Sequence, residues 1–174
     1  KRLDRIGMDT TQAEAGETSY KRLTTSHREV LEQLRTAIAM FDAETRLEFY
    51  NSAYEQLTGM QSAWLNTRPR IVDIIDKMRE LRKLPEQADY KQFKQSWLSK
   101  FTSLLEPYEE MQYLSDGSVI RMIMMPRPMG GIFMTLEDVT SRLELETSYN
   151  TLMAVQQETM DNLAEGIAVF GEDG

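Results

Sequence analysis

The 174 residues contain no cysteine and a single histidine, His27. Without thiols there is no disulfide, no thiolate metal site and no cysteinyl nucleophile. One imidazole cannot build a multi-histidine metal site, so no metal is expected. Proline (5 residues) and glycine (9) are also scarce, and 41% of the chain is hydrophobic and 28% charged, which is globular rather than disordered chemistry. No apolar run approaches the roughly 18 residues of a membrane span. The opening KRLDRIGMDT has neither the apolar stretch nor the cleavage site of a secretory signal, and a cytoplasmic setting, consistent with the missing cysteines, is expected. Bases are in deficit, 20 against 28 acids, for a net charge of −8. Such a surface repels duplex nucleic acid. The tightest basic cluster, KMRELRK at 77–83, contains Glu80 and falls in a helical pattern, so it reads as a solvated helix face.

What is present is a repeat. Shifted by 129 positions, the chain falls on itself without a gap. Asp9 and Thr11 fall on Asp138 and Thr140, and Glu17, Thr18, Ser19, Tyr20 and Leu23 on Glu146, Thr147, Ser148, Tyr149 and Leu152. Further on, Leu34, Ile38, Ala39 and Phe41 fall on Leu163, Ile167, Ala168 and Phe170. Identity sustained at one fixed period indicates a duplicated unit. Residues 1–11 are then expected to be the tail of a preceding copy and 12–34 a linker helix. A complete domain follows over 35–140, a second linker helix over 141–163, and the first strand of a following copy over 164–174.

Within the unit, apolar alternation gives a strand at 36–43 and another at 46–51, the latter expected to carry Leu47 and Phe49 on one face. Ser52 followed by Glu55 predicts a capping box, with Gly59 ending a short helix. SAWLN predicts another helical turn. Pro69 opens a helix with Ile71, Ile74, Ile75 and Met78 at helical spacing. Asp89 caps another that carries Phe93, Trp97, Leu98, Phe101 and Leu104/Leu105 on one face. After Pro107 the period becomes two: EEMQYLSDGS and VIRMIMMPRP form a hairpin, and IFMTLEDV is the last strand. Helices interrupting an antiparallel sheet make an α+β fold.

This order of elements, the stretch AMFDAETRLEFYNSAYEQLTG with Asn51 directly after the second strand, and the strand-terminal EDVT resemble the PAS family. The resemblance implies a five-stranded antiparallel sheet, with helices between strands two and three, in a sensor and interaction module. Tandem PAS repeats joined by helices resemble the sensory half of bacterial sensor histidine kinases, in particular those of the alphaproteobacterial cell cycle. Three departures bear on cofactors. There is no cysteine for the flavin adduct of light-sensing members. The only histidine lies in the linker, not in the core where haem-binding members place it. The helical insert at about 70–105 is longer than usual. No cofactor is expected, and a small ligand stays open.

The candidate residues follow. Asp138 and Thr140 match the family's Asp-x-Thr motif. A carboxylate there can accept N–H bonds from the first turn of the next helix, and the threonine hydroxyl can bond back to it, fixing the exit angle; Ser141 and Glu144 offer an alternative capping box. Leu145, Tyr149, Leu152, Gln156, Thr159 and Leu163 are spaced as a coiled-coil seam. In the first copy the seam is Gly16, Tyr20, Leu23, His27, Val30 and Leu34, again with a polar residue at the central a position. The alternative for both linkers is a helix packed on its own sheet. A pocket between sheet and helices would draw on Phe49, Trp64, Trp97 and Met125, with Asn51 and Tyr54 as its polar groups, although apolar residues at such spacings also serve as plain core. Glu109 and Glu110 are adjacent on a strand and point to opposite faces, so they cannot act as a catalytic pair, and no catalytic residue is expected. The reading is a relay unit of a sensor histidine kinase. Its expected partners are a second copy, neighbouring PAS repeats and the kinase core of the same chain, or a signalling protein, with no nucleic acid and no membrane segment. The alternatives are a ligand-free docking module and a regulator of another output, such as a cyclic-nucleotide enzyme.

Overall fold

Five stretches of alternating burial make one antiparallel sheet, and the helical insert lies across a single face of it. The computed structural model describes residues 25–172, with side chains to residue 166. In chain order the elements are α1 (25–33), β1 (Ala37–Phe41), β2 (Leu47–Tyr50), α2 (Ser52–Thr58), α3 (Ser62–Leu65), α4 (Ile71–Glu80), α5 (Tyr90–Ser103), β3 (Tyr108–Tyr113), β4 (Val119–Pro126), β5 (Ile132–Asp138) and α6 (Thr140–Glu172). The strand order is β2-β1-β5-β4-β3. The α+β architecture expected from the sequence is therefore what forms.

The inner sheet face presents Ala39, Phe41, Leu47, Met122, Met124, Ile132, Met134 and Leu136 to Tyr54, Leu65, Ile74, Ile75, Trp97 and Phe101 of the helices. Burial of this apolar surface is the main stabilising term. The rings of α5 recur at intervals of three and four, so Tyr90, Phe93, Trp97 and Phe101 line one helix face. Successive centroids lie 6.5, 5.9 and 6.3 Å apart, and Phe101 meets Phe41 of β1 edge-on at 5.1 Å. Leu98, expected on that face, is rotated off it, one residue past Trp97, and is exposed; Leu105, expected there too, lies beyond the end of α5 and is also exposed.

Two local expectations are corrected. Leu47 and Phe49 do not share a face. Met40 pairs with Phe49 but Phe41 pairs with Leu47, so Glu48 is an extra residue on β2. Such a bulge inverts the alternation: Leu47 enters the core, while Phe49 turns to the outer face under Arg28, 5.9 Å from its ring. Nor does Ser52 cap α2. That role falls to Asn51, whose side chain accepts from Tyr54 N–H at 3.0 Å. Asp89 caps α5 as expected, accepting from Gln92 N–H at 3.0 Å, and Gly59 closes α2 at φ 72°.

Two residues past α4, Arg82 stands at φ 57°, and Lys83 N–H bonds Met78 O at 2.8 Å. This is the helix close that usually recruits glycine, and a side chain there costs about 1 kcal/mol.

Helix α6 runs out from the sheet. From Ser141 to Gly166 every side chain but half-buried Leu143 is exposed, so the helix does not pack on its own sheet. Residues 164–172, expected to begin a strand, continue the helix. The equivalent segment at 35–43 forms β1 because β2 and β5 flank it and take its backbone bonds. Among the described residues no strand pairs with 164–172, and its backbone is helical. Among the described residues no helix is long and apolar enough to cross a membrane.

Candidate functional site

The expected coupling pair and Asn51, expected instead to read a ligand, form two joints at the same end of the β1–β5 ladder. At the exit joint, Asp138 Oδ1 accepts from Thr140 N–H at 3.0 Å and from the Thr140 hydroxyl at 2.5 Å. The Thr140 oxygen in turn accepts from Val119 N–H at 2.9 Å, and Val119 O takes the N–H of buried Val139 at 2.9 Å. The last residues of β5 and the first of α6 are thus stitched to the start of β4. Neither Ser141 nor Glu144 caps the helix, which already begins at Thr140.

At the entry joint, Asn51 is fully buried and uses its whole amide. Its Oδ1 accepts from Ile38 N–H at 2.9 Å and from Tyr54 N–H at 3.0 Å; its Nδ2 donates to Leu31 O and Thr36 O, both at 2.9 Å. One side chain therefore holds the end of α1, the start of β1 and the first turn of α2. Glu32 of α1 adds an outer clasp, its Oε2 accepting from Ser52 N–H at 3.1 Å and the Ser52 hydroxyl at 2.9 Å. Sequence reasoning singled out Asn51 as a ligand-reading group. With two donors and two acceptor positions all engaged, it has none left for a ligand. Glu32 was missed altogether, since its partner lies 20 residues away.

The two joints are neighbours because β1 and β5 run antiparallel, pairing Ala37 with Leu136 and Ile38 with Thr135. A shallow groove of about 270 Å³ between them is lined by Arg35, Thr36, Ala37, Leu57, Leu136 and Asp138.

The residues expected to line a pocket do not converge. Tyr54 and Trp97 are buried in the core, and burial pushes the Tyr54 hydroxyl pKa far up, so it stays a neutral phenol. Trp64 packs half-buried against the core from α3. Phe49 faces outward, and Met125, one residue past inward-facing Met124, lies on the outer face and is 37% exposed. The cavity left between sheet and helices, beside Thr58, Met78, Gln112 and Leu136, is about 40 Å³. Small-molecule sites run to roughly 300–1,000 Å³. Trp97 and Phe101 of α5 pack in the core between the helices and the sheet.

The seam residues of α6 all lie open to solvent: Leu145, Tyr149, Leu152 and Leu163 are more than half exposed, and Gln156 is exposed with them. His27 and Leu34 are likewise exposed at the N-terminal side, while Tyr20 and Leu23 lie outside the described residues, as do the proposed tail 1–11 and the linker residues 12–24.

Comparison with known proteins gives one consistent answer. A family model described as PAS fold matches residues 31–147. The chain is 35% identical over 166 residues to Sensor protein DivL of Caulobacter vibrioides, an alignment covering 95% of this chain and 22% of DivL, so the chain spans well under half the length of that relative. Among solved structures, the PAS domain of Bordetella pertussis BvgS superposes with a TM-score of 0.53 at 17% identity, covering 77% of this chain and 98% of that one.

Proposed function

This chain belongs to the PAS fold family and is related to a sensor protein, and from that premise we propose that it is a signal-relay PAS repeat of a two-component sensor histidine kinase. In this reading the unit is cytoplasmic and bacterial, and it has no catalytic residues of its own. The linker 12–34 delivers a displacement, the sheet transmits it, and the linker 141–163 passes it on within a parallel dimer. The neighbouring PAS repeats and kinase core of the same chain are its partners.

The observation that carries the reading is the adjacency of the two joints. A shift of α1 acts through Asn51 on Ile38, whose cross-strand partner is Thr135. Three residues further along the same strand, Asp138 sets the start of α6. Few covalent and hydrogen-bonded steps separate input from output, as a two-state relay requires. The uncovered seam of α6 supports the dimer, because an apolar stripe at heptad spacing is stabilised by a second helix. The filled interior favours a unit that works without a small ligand. It equally suits the second reading, a ligand-free docking module using the outer face around Met125.

Leu152→Asp separates these readings. Since Leu152 is 56% exposed, the change should leave the melting temperature of the chain within about 2 °C. In sedimentation equilibrium it should convert a dimer to a monomer. A chain that is monomeric before mutation, or a dimer indifferent to the change, defeats the coiled relay. At the exit joint, Asp138→Ala with Thr140→Val should change autophosphorylation of the intact parent kinase by about fivefold or more. Unchanged output would reduce the joint to an ordinary cap.

A further inference from the structure

Two residues of the basic cluster at 77–83 line a groove. Arg79, from the last turn of α4, and Arg82, just beyond it, line an open groove of about 650 Å³ with Leu84, Pro85, Gln87, Tyr90 and Ser115 of the β3–β4 turn. The chain has eight more acids than bases, yet neither of these guanidiniums is in ion-pair contact with a carboxylate among the described residues. The nearby acids are already taken: Glu80 by Lys77 at 3.2 Å, and Asp76 by Lys94 at 2.6 Å and the Tyr90 hydroxyl at 2.6 Å. Only Glu86 remains in the groove lining to offset two arginines.

The Arg79 guanidinium is held in position. Arg79 lies over the Tyr90 ring at 3.9 Å, and the bond to Asp76 fixes that ring. Arg82 stands at φ 57°, where glycine would rest without strain. A strained side chain retained at a cleft is a pointer to use of that side chain. The floor is apolar, made by buried Leu84 and half-buried Pro85.

We propose that this groove docks an acidic segment of a partner protein, two of its carboxylates meeting Arg79 and Arg82 while an apolar side chain between them rests on Leu84 and Pro85. An extended peptide matches the open shape and the mixed lining. A duplex or other long polyanion does not, because the rest of the surface is acidic. None of the joint residues Asn51, Glu32, Asp138 and Thr140 lines the groove, so its occupancy can be read without the relay reading.

The test is an amide chemical-shift titration of this chain with two probes, the peptide Gly-Glu-Leu-Glu-Leu-Glu-Gly and its counterpart with glutamine for every glutamate. The acidic probe should shift residues 79–90 and Ser115, and the glutamine probe should not. Arg79→Gln and Arg82→Gly should each weaken binding about tenfold. Arg82→Gly should also raise the melting temperature, which separates lost binding from lost folding. Equal binding of both probes, shifts centred on the outer sheet face, or undiminished binding by Arg82→Gly would overturn the proposal. So would inorganic phosphate at matched ionic strength, if it bound the same residues as tightly as the peptide.

Discussion

Asn51→Ala should lower the folding free energy by roughly 3 kcal/mol, read as a lower urea midpoint at unchanged slope. The change removes a helix cap, worth about 1 kcal/mol, and strands the Ile38 N–H in a buried setting, which costs about 1–3 kcal/mol more. It also frees two carbonyls, those of Leu31 and Thr36. The loss should be uneven. The core beneath α5 keeps its packing, whereas α1 is held by the Asn51 amide and the surface clasp of Glu32 on Ser52. Hydrogen exchange should therefore accelerate most at residues 25–38 and in the first turn of α2. Glu32→Ala removes only the exposed clasp and should cost under about 1 kcal/mol, yet loosen the same helix. If α1 protection in Asn51→Ala stays level with that of α5, Asn51 is not the entry joint and the relay loses its first step.

What the sequence made legible and what it hid divide by the range of the interactions. Asp138 and Thr140 were readable as a joint because their bonds span two residues. The caps at Asp89 and Gly59 are local in the same way. Asn51 was noticed, but its role was not, because its partners at Leu31, Thr36 and Ile38 come from elements folded beside it from 13 to 20 residues upstream. The outward turn of Phe49 depends on the bulge at Glu48, and no glycine or proline marks that bulge. Met125 was assigned inward because RMIMM is apolar on both faces, so alternation carries no information there; the register shows Met122 and Met124 inside and Met125 out. The same limit applies at 164–172, where a pattern like that of β1 becomes helix without neighbouring strands. Periodicity specifies which faces are apolar; neighbours decide which element forms.

Gly131→Ala should be costlier still, roughly 4 kcal/mol or more, and its effect should be global. Gly131 sits at φ 88° in the turn between β4 and β5, where an added Cβ would lie 2.0 Å from Phe41 O and 2.8 Å from the Asp42 carbonyl carbon. Those atoms are backbone and cannot swing aside. The methyl can be accommodated only by opening the β1–β5 pair at Phe41–Ile132, which would also disturb the Arg127 bond to Phe41 O at 3.0 Å. Gly59, at φ 72° with nothing near its Cβ position, supplies the control: alanine there should cost about 1 kcal/mol from conformation alone. Equal effects at the two glycines would show that the β4–β5 turn relaxes freely and that the ladder is not pinned at this end. The comparison with Asn51 has a further use. Gly131 anchors the β1–β5 ladder at the end opposite both linker joints, so its alanine variant should melt the sheet as a unit and lower protection in β1, β5 and β4 together. Asn51→Ala should release α1 ahead of the sheet. A relay requires that difference, because a signal can be passed only if the entry helix can move while the strands that carry it remain folded.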